Sequence, residues 1–68
     1  MNSFGSWHGL LTYLDEHSNI VYYKAPLDLH PVMVVVIRRF KNGKLRIQYH
    51  DMKFTADRGH LDRFFWKE

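Results

Sequence analysis

Val32-Met33-Val34-Val35-Val36-Ile37-Arg38-Arg39-Phe40-Lys41-Asn42-Gly43-Lys44-Leu45-Arg46-Ile47-Gln48-Tyr49-His50-Asp51 is the stretch that decides the fold. Two runs rich in β-branched and aromatic residues flank Asn42-Gly43. That dipeptide is the strongest short-range hairpin signal, because both central residues of a type I′ turn need positive φ. A two-residue loop sets Lys41 opposite Lys44, Phe40 opposite Leu45, Arg39 opposite Arg46 and Val36 opposite Tyr49. One face then carries Val34, Val36, Phe40, Leu45, Ile47 and Tyr49 and reads as core. The other carries Arg39, Lys41, Lys44, Arg46 and Gln48, with Ile37 and Val35 farther from the turn. Arg38 falls on the core side, where an unpaired charge is costly. A bulge after Ile37 removes the conflict and moves Arg38 to the basic set. Pairing with Asp28 or Asp51, or snorkelling of the stem, are the other solutions.

Working outward, Trp7 to Leu14 reads as a strand from its aromatic and β-branched content, and Asp15 to Asn19 as a polar turn. Ile20 to Ala25 is a second strand. Pro26-Leu27-Asp28-Leu29-His30-Pro31 is a proline-bounded loop, with Leu27 and Leu29 expected to tuck beneath the sheet and pin it. Met52 to Thr55 extends the strand set. Asp57 then caps one of two structures. One is a helix with Leu61, Phe64 and Phe65 at i, i+3 and i+4. The other is a single helical turn over 57–63 followed by a closing strand Phe64-Phe65-Trp66. Both place Leu61 and Phe64 in the core.

These elements predict a mostly β fold: a small antiparallel barrel or strongly curled sheet of four or five strands with a short C-terminal helical segment. The element order resembles the outline of SH3-like barrels. The alternative is α+β, a four-stranded meander packed by one C-terminal helix.

Size bounds the rest. A chain of 68 residues reads as one domain over 1–68, burying only about 60% of its unfolded surface. It has no cysteine for a disulfide or a thiolate metal site. Its reinforcement is aromatic, with five Phe, four Tyr and two Trp. The longest apolar run, Val32–Ile37, is far short of the roughly 20 residues of a membrane helix. No basic leader with an apolar core is visible, and the expected setting is cytoplasmic.

Two functional readings follow. Val32–Ile37 is apolar on both faces, and one core covers only one of them. The other needs the C-terminal helix or a second copy as cover, and a homodimer or a protein partner on Met33, Val35, Ile37, Phe65 and Trp66 is the first reading. Charge supports the second. Residues 1–33 carry one Lys against three acids, and residues 34–68 carry nine Lys/Arg against four, so −2 and +5 make the net +3. Arg39, Lys41, Lys44 and Arg46 then form a basic hairpin face for RNA or DNA, or simply a charged tip that blocks edge-to-edge aggregation. No RNP, helix-turn-helix or zinc-finger pattern accompanies it.

Chemistry is not expected. His8, His17, His30, His50 and His60 have no metal-ligand spacing, so neither metal nor cofactor is implied. The glycines are scattered and the serines lack a nucleophile-elbow context. A domain this small leaves little volume for a water-excluded cleft of about 300 Å³ or more, and no small-molecule substrate is evident. An enzyme is expected only if a dimer shares a site.

Overall fold

The computed structural model describes residues 1–67. The chain runs β1 (Asn2–Ser3), α1 (Trp7–Glu16), β2 (Ile20–Tyr23), β3 (Val32–Arg39), β4 (Leu45–Tyr49), β5 (Met52–Ala56), a 3₁₀ helix (Arg58–Arg63) and β6 (Phe64–Trp66). The strands form one antiparallel sheet in the order β1-β6-β2-β3-β4-β5. The fold is mostly β. It takes the curled-sheet form rather than a closed barrel, since β1 and β5 remain the two edges.

The strand expected over 7–14 is a helix. Ser6 stays extended and its side chain accepts the Gly9 N–H at 3.0 Å, which caps α1. Trp7, Leu10 and Leu14 are the buried positions. Their spacing of three and four is the 3.6-residue period of a helix, and it outweighs the aromatic content that favoured a strand. α1 therefore covers the inner face of the sheet, and its apolar stripe packs among Val21, Val34, Val36, Leu45 and Ile47.

The hairpin forms, with a different turn. Asn42 does not adopt positive φ, whereas Gly43 does at 86°. The Gly43 N–H donates to Phe40 O at 3.0 Å and the Phe40 N–H to Lys44 O at 2.9 Å. This is the three-residue loop with its left-handed position on glycine. Asn42 contributes its side chain instead, accepting the Lys44 N–H at 3.1 Å. The pairing becomes Arg39↔Leu45 and Arg38↔Arg46, then shifts between Val36 and Arg38 to give Val36↔Ile47. The expected pairs Lys41 with Lys44, Phe40 with Leu45, Arg39 with Arg46 and Val36 with Tyr49 are thus corrected. The bulge at Ile37 is present. Turn and bulge each move the register by one residue, so beyond the bulge the inward set is restored. Val34, Val36, Leu45 and Ile47 are all buried as expected.

The tail resolves to the helical turn with a closing strand. The Asp57 side chain accepts the Gly59 N–H at 2.9 Å, and His60 Nδ1 accepts the Asp57 N–H at 3.2 Å, a reciprocal cap. Phe64 is fully buried and Leu61 packs at the edge of the core. The curl is visible in one ring. Tyr23 on β2 lies 5.1 Å from Phe54 on β5 and 5.0 Å from Phe64 on β6, although β3 and β4 separate β2 from β5 in the sheet.

Leu27 and Leu29 do not tuck under the sheet. They are 96% and 87% exposed. The residue between them holds the loop. Asp28 Oδ2 accepts the Tyr49 hydroxyl at 2.6 Å and the Ala25 N–H at 3.1 Å. With a hydrogen-bonded carboxylate available as anchor, the loop has no need of apolar burial.

Candidate functional site: the open face of the sheet

α1 covers one face of the sheet, and among the described residues no element covers the other. Strand alternation decides what that outer face presents. On β2, Val21 and Tyr23 point inward, so Ile20 and Tyr22 point out. On β3, Val34 and Val36 point inward, so Met33 and Val35 point out. Ile20 pairs with Val35, and Tyr22 lies between Met33 and Phe65. The bulge turns Ile37 and Arg38 to the same side opposite Arg46. The result is a continuous apolar centre across β6, β2 and β3. Met33 is 61% exposed, Val35 42% and Ile37 43%.

Polar residues flank this centre on one side. Arg46 donates to Thr55 Oγ1 at 3.1 Å. Gln48 pairs with Lys53, and Arg38 lies over the Phe40 ring at 5.2 Å. The strand positions that face outward carry no carboxylate.

The residues expected to form a partner surface separate in one place. Met33, Val35, Ile37 and Phe65 share the outer face. Trp66 follows Phe65 on β6, lies on the other side and sits near the Tyr13 ring of α1 at 6.2 Å. The four basic residues do not share a face. Arg39 turns to the helix side and pairs with Asp15 at the end of α1. Lys41 and Lys44 stand exposed at the tip. Only Arg46 lies on the outer face.

The electrostatics at the far end of the sheet are local. The Tyr49 hydroxyl holds the Asp28 carboxyl below its usual range, and the same bond pushes the Tyr49 phenol above its own. Burial pushes the Tyr23 phenol up, with Arg63 opposing. Among the described residues, no three His, Asp or Glu side chains are grouped to hold a metal ion. No helix of the described residues is long and apolar enough to cross a membrane. An open cleft of about 470 Å³ lies at the hairpin tip.

Comparison with known proteins adds no assignment: no family model, no curated protein and no solved structure matches the chain.

Sequence reasoning missed Ile20 and Lys53 as members of the outer face. The signal for Ile20 was present, since Ile20-Val21-Tyr22-Tyr23 in a strand buried on one face must present alternate residues outward. Lys53 depended on the pairing of β5, whereas the bulge takes Arg38 off the core face as expected.

Proposed function

We propose that this protein is a non-catalytic binding module that docks a polypeptide onto the open face of its sheet, and that the polypeptide is a second copy of itself. The observation that carries the reading is the exposed apolar centre formed by Ile20, Tyr22, Met33, Val35, Ile37 and Phe65. Contiguous apolar surface of this kind marks interaction sites on small domains. The molecule's two larger extents are 30 and 25 Å, a flat footprint of about 750 Å² before the relief of the side chains adds area. A stable interface takes about 800 Å² from each partner, so the dimer needs the whole face. The cations Arg38, Arg46 and Lys53 sit to one side of the apolar centre. A two-fold axis through that centre carries the two cationic flanks to opposite rims. A chain this short also gains more than most from association.

Light scattering during gel filtration tests the reading. The expected result is a mass of two chains at micromolar concentration, and of one chain for Val35→Lys with its fold intact. A single-chain mass for the unaltered protein removes it.

One observation favours a second reading. The outer face carries Arg38, Arg46 and Lys53 on one flank and the rings of Tyr22 and Phe65 across the apolar centre from them, without a carboxylate, a combination suited to a strand whose backbone follows the cations and whose bases reach across to the rings. It differs from the hairpin-tip footprint expected from sequence. Retention of labelled single-stranded oligonucleotides across a salt series separates the two readings, because phosphate contacts weaken steeply with salt and an apolar dimer does not.

A further inference from the structure

Three segments converge at the end of the sheet away from the proline loop: the start of α1, the hairpin tip and the start of the 3₁₀ helix. Between them lies the cleft of about 470 Å³, bordered by Trp7, Asn42, Lys44, Asp57 and Arg58. That volume falls within the usual range for small-molecule sites, about 300–1,000 Å³. Its wall is fixed. The Trp7 indole N–H donates to Gly43 O at 2.8 Å and ties helix to turn. Asn42 Oδ1 accepts the Lys44 N–H, which leaves the Asn42 amide N–H₂ as a donor. Lys44 and Arg58 are exposed, and neither side chain has an ion-pair partner among the described residues. The one bordering carboxylate, Asp57, accepts the Gly59 N–H and caps the 3₁₀ helix.

We infer that this cleft is a binding site for a phosphate monoester, with Lys44, Arg58 and the Asn42 amide taking the phosphate and the edge of Trp7 taking the apolar part of the ligand. Donor count selects the ligand class. Lys44 and Arg58 against Asp57 leave the lining at a net +1, and an ammonium, a guanidinium fork and an amide N–H₂ offer more donors than the two oxygens of a carboxylate take, which suits the three acceptor oxygens of a phosphate monoester. Arginine adds a bidentate fork suited to phosphate oxygens, and lysine a point charge. The cleft also exceeds what a bare phosphate fills, so an organic substituent fits against the indole. This inference stands apart from the docking face, which lies on other residues.

The test follows the Trp7 indole N–H by nitrogen–proton correlation NMR, with Trp66→Phe identifying the signal. The titrants are inorganic phosphate, phenyl phosphate and acetate at constant ionic strength. The expected result is saturable movement of the Trp7 signal with phosphate, tighter with phenyl phosphate and weaker with acetate. The Lys44→Ala/Arg58→Ala double variant should lose at least about tenfold in affinity, the scale of one lost charged hydrogen bond. Both side chains are exposed, and an unchanged spectrum elsewhere confirms that the variant folds. A 5′-phosphorylated dinucleotide that binds tighter than phenyl phosphate assigns the monoester to a nucleic-acid end; the reverse order assigns it to a small molecule. Unsaturated drift, an equal response to acetate, or unchanged titration of the double variant overturns the site.

Discussion

The indole N–H of Trp7 donates to the carbonyl of Gly43 at 2.8 Å, across 36 residues of chain. One bond thus joins the first turn of the only α-helix among the described residues to the tip of the central hairpin. Trp7→Phe keeps an aromatic ring in the core and deletes the donor. The expected loss is about 1–2 kcal/mol, the cost of leaving a partly buried acceptor unsatisfied, read from the urea midpoint. An unchanged midpoint would show that water replaces the indole at no cost.

The two turns make opposite predictions. Gly43 sits at φ 86°, where a Cβ costs about 1–2 kcal/mol, so Gly43→Ala should destabilise by about that much. His50 sits at φ 53° without being glycine. His50→Gly should therefore leave the β4–β5 turn intact and raise stability by up to about 1 kcal/mol, offset in part by the freer unfolded chain. Parallel thermal melts of the two variants check both signs.

The Asp28–Tyr49 bond predicts a pH profile. Asp28 has a folded pKa below its ordinary value of about 3.9. Its contribution is full above that value and is lost as pH falls through the folded pKa. Tyr49 has a folded pKa above its ordinary value of about 10. Its contribution is full below that value and is lost as pH rises through the folded pKa. Tyr49→Phe removes the bond, so both the acid and the alkaline limbs of stability against pH should flatten. Denaturant titrations along the two limbs measure this, and limbs as steep as those of the unaltered protein would contradict it.

Arg39 and Arg46 separate by face. Arg39 pairs with Asp15 on the exposed helix side, and an exposed pair of this kind contributes at most about 1 kcal/mol. Arg39→Ala should change neither stability by more than that nor the oligomeric state. Any retention of oligonucleotides should likewise survive Arg39→Ala and fall on replacing Arg46 and Lys53 together. The reverse pattern would return the polyanion reading to the hairpin tip.

The hairpin, the bulge, the Asp57 cap and the burial of Val34, Val36, Leu45, Ile47 and Phe64 were legible because each follows from a short-range rule. The Arg38 conflict was the most useful of these signals, since a charge on a core face forces a register shift. Three features were not legible for physical reasons. Trp7–Leu14 carries both strand-like composition and helical spacing, and the capping Ser6 decides between them only once its hydrogen bond to Gly9 is seen. Asn-Gly is compatible with two loop lengths that differ by one residue, which moves Arg39 from one face to the other. The proline loop is anchored by a bond between Asp28 and Tyr49, and no local pattern records that 21-residue separation.

The central claim is that a second copy covers the open face. Isotope-filtered NMR on a mixture of labelled and unlabelled chains tests it most directly. The prediction is intermolecular contacts from the methyl groups of Met33, Val35 and Ile37 to the rings of Tyr22 and Phe65 on the other copy. Contacts arising instead from Leu27 and Leu29, or no intermolecular contact at concentrations where light scattering gives the mass of one chain, would contradict it.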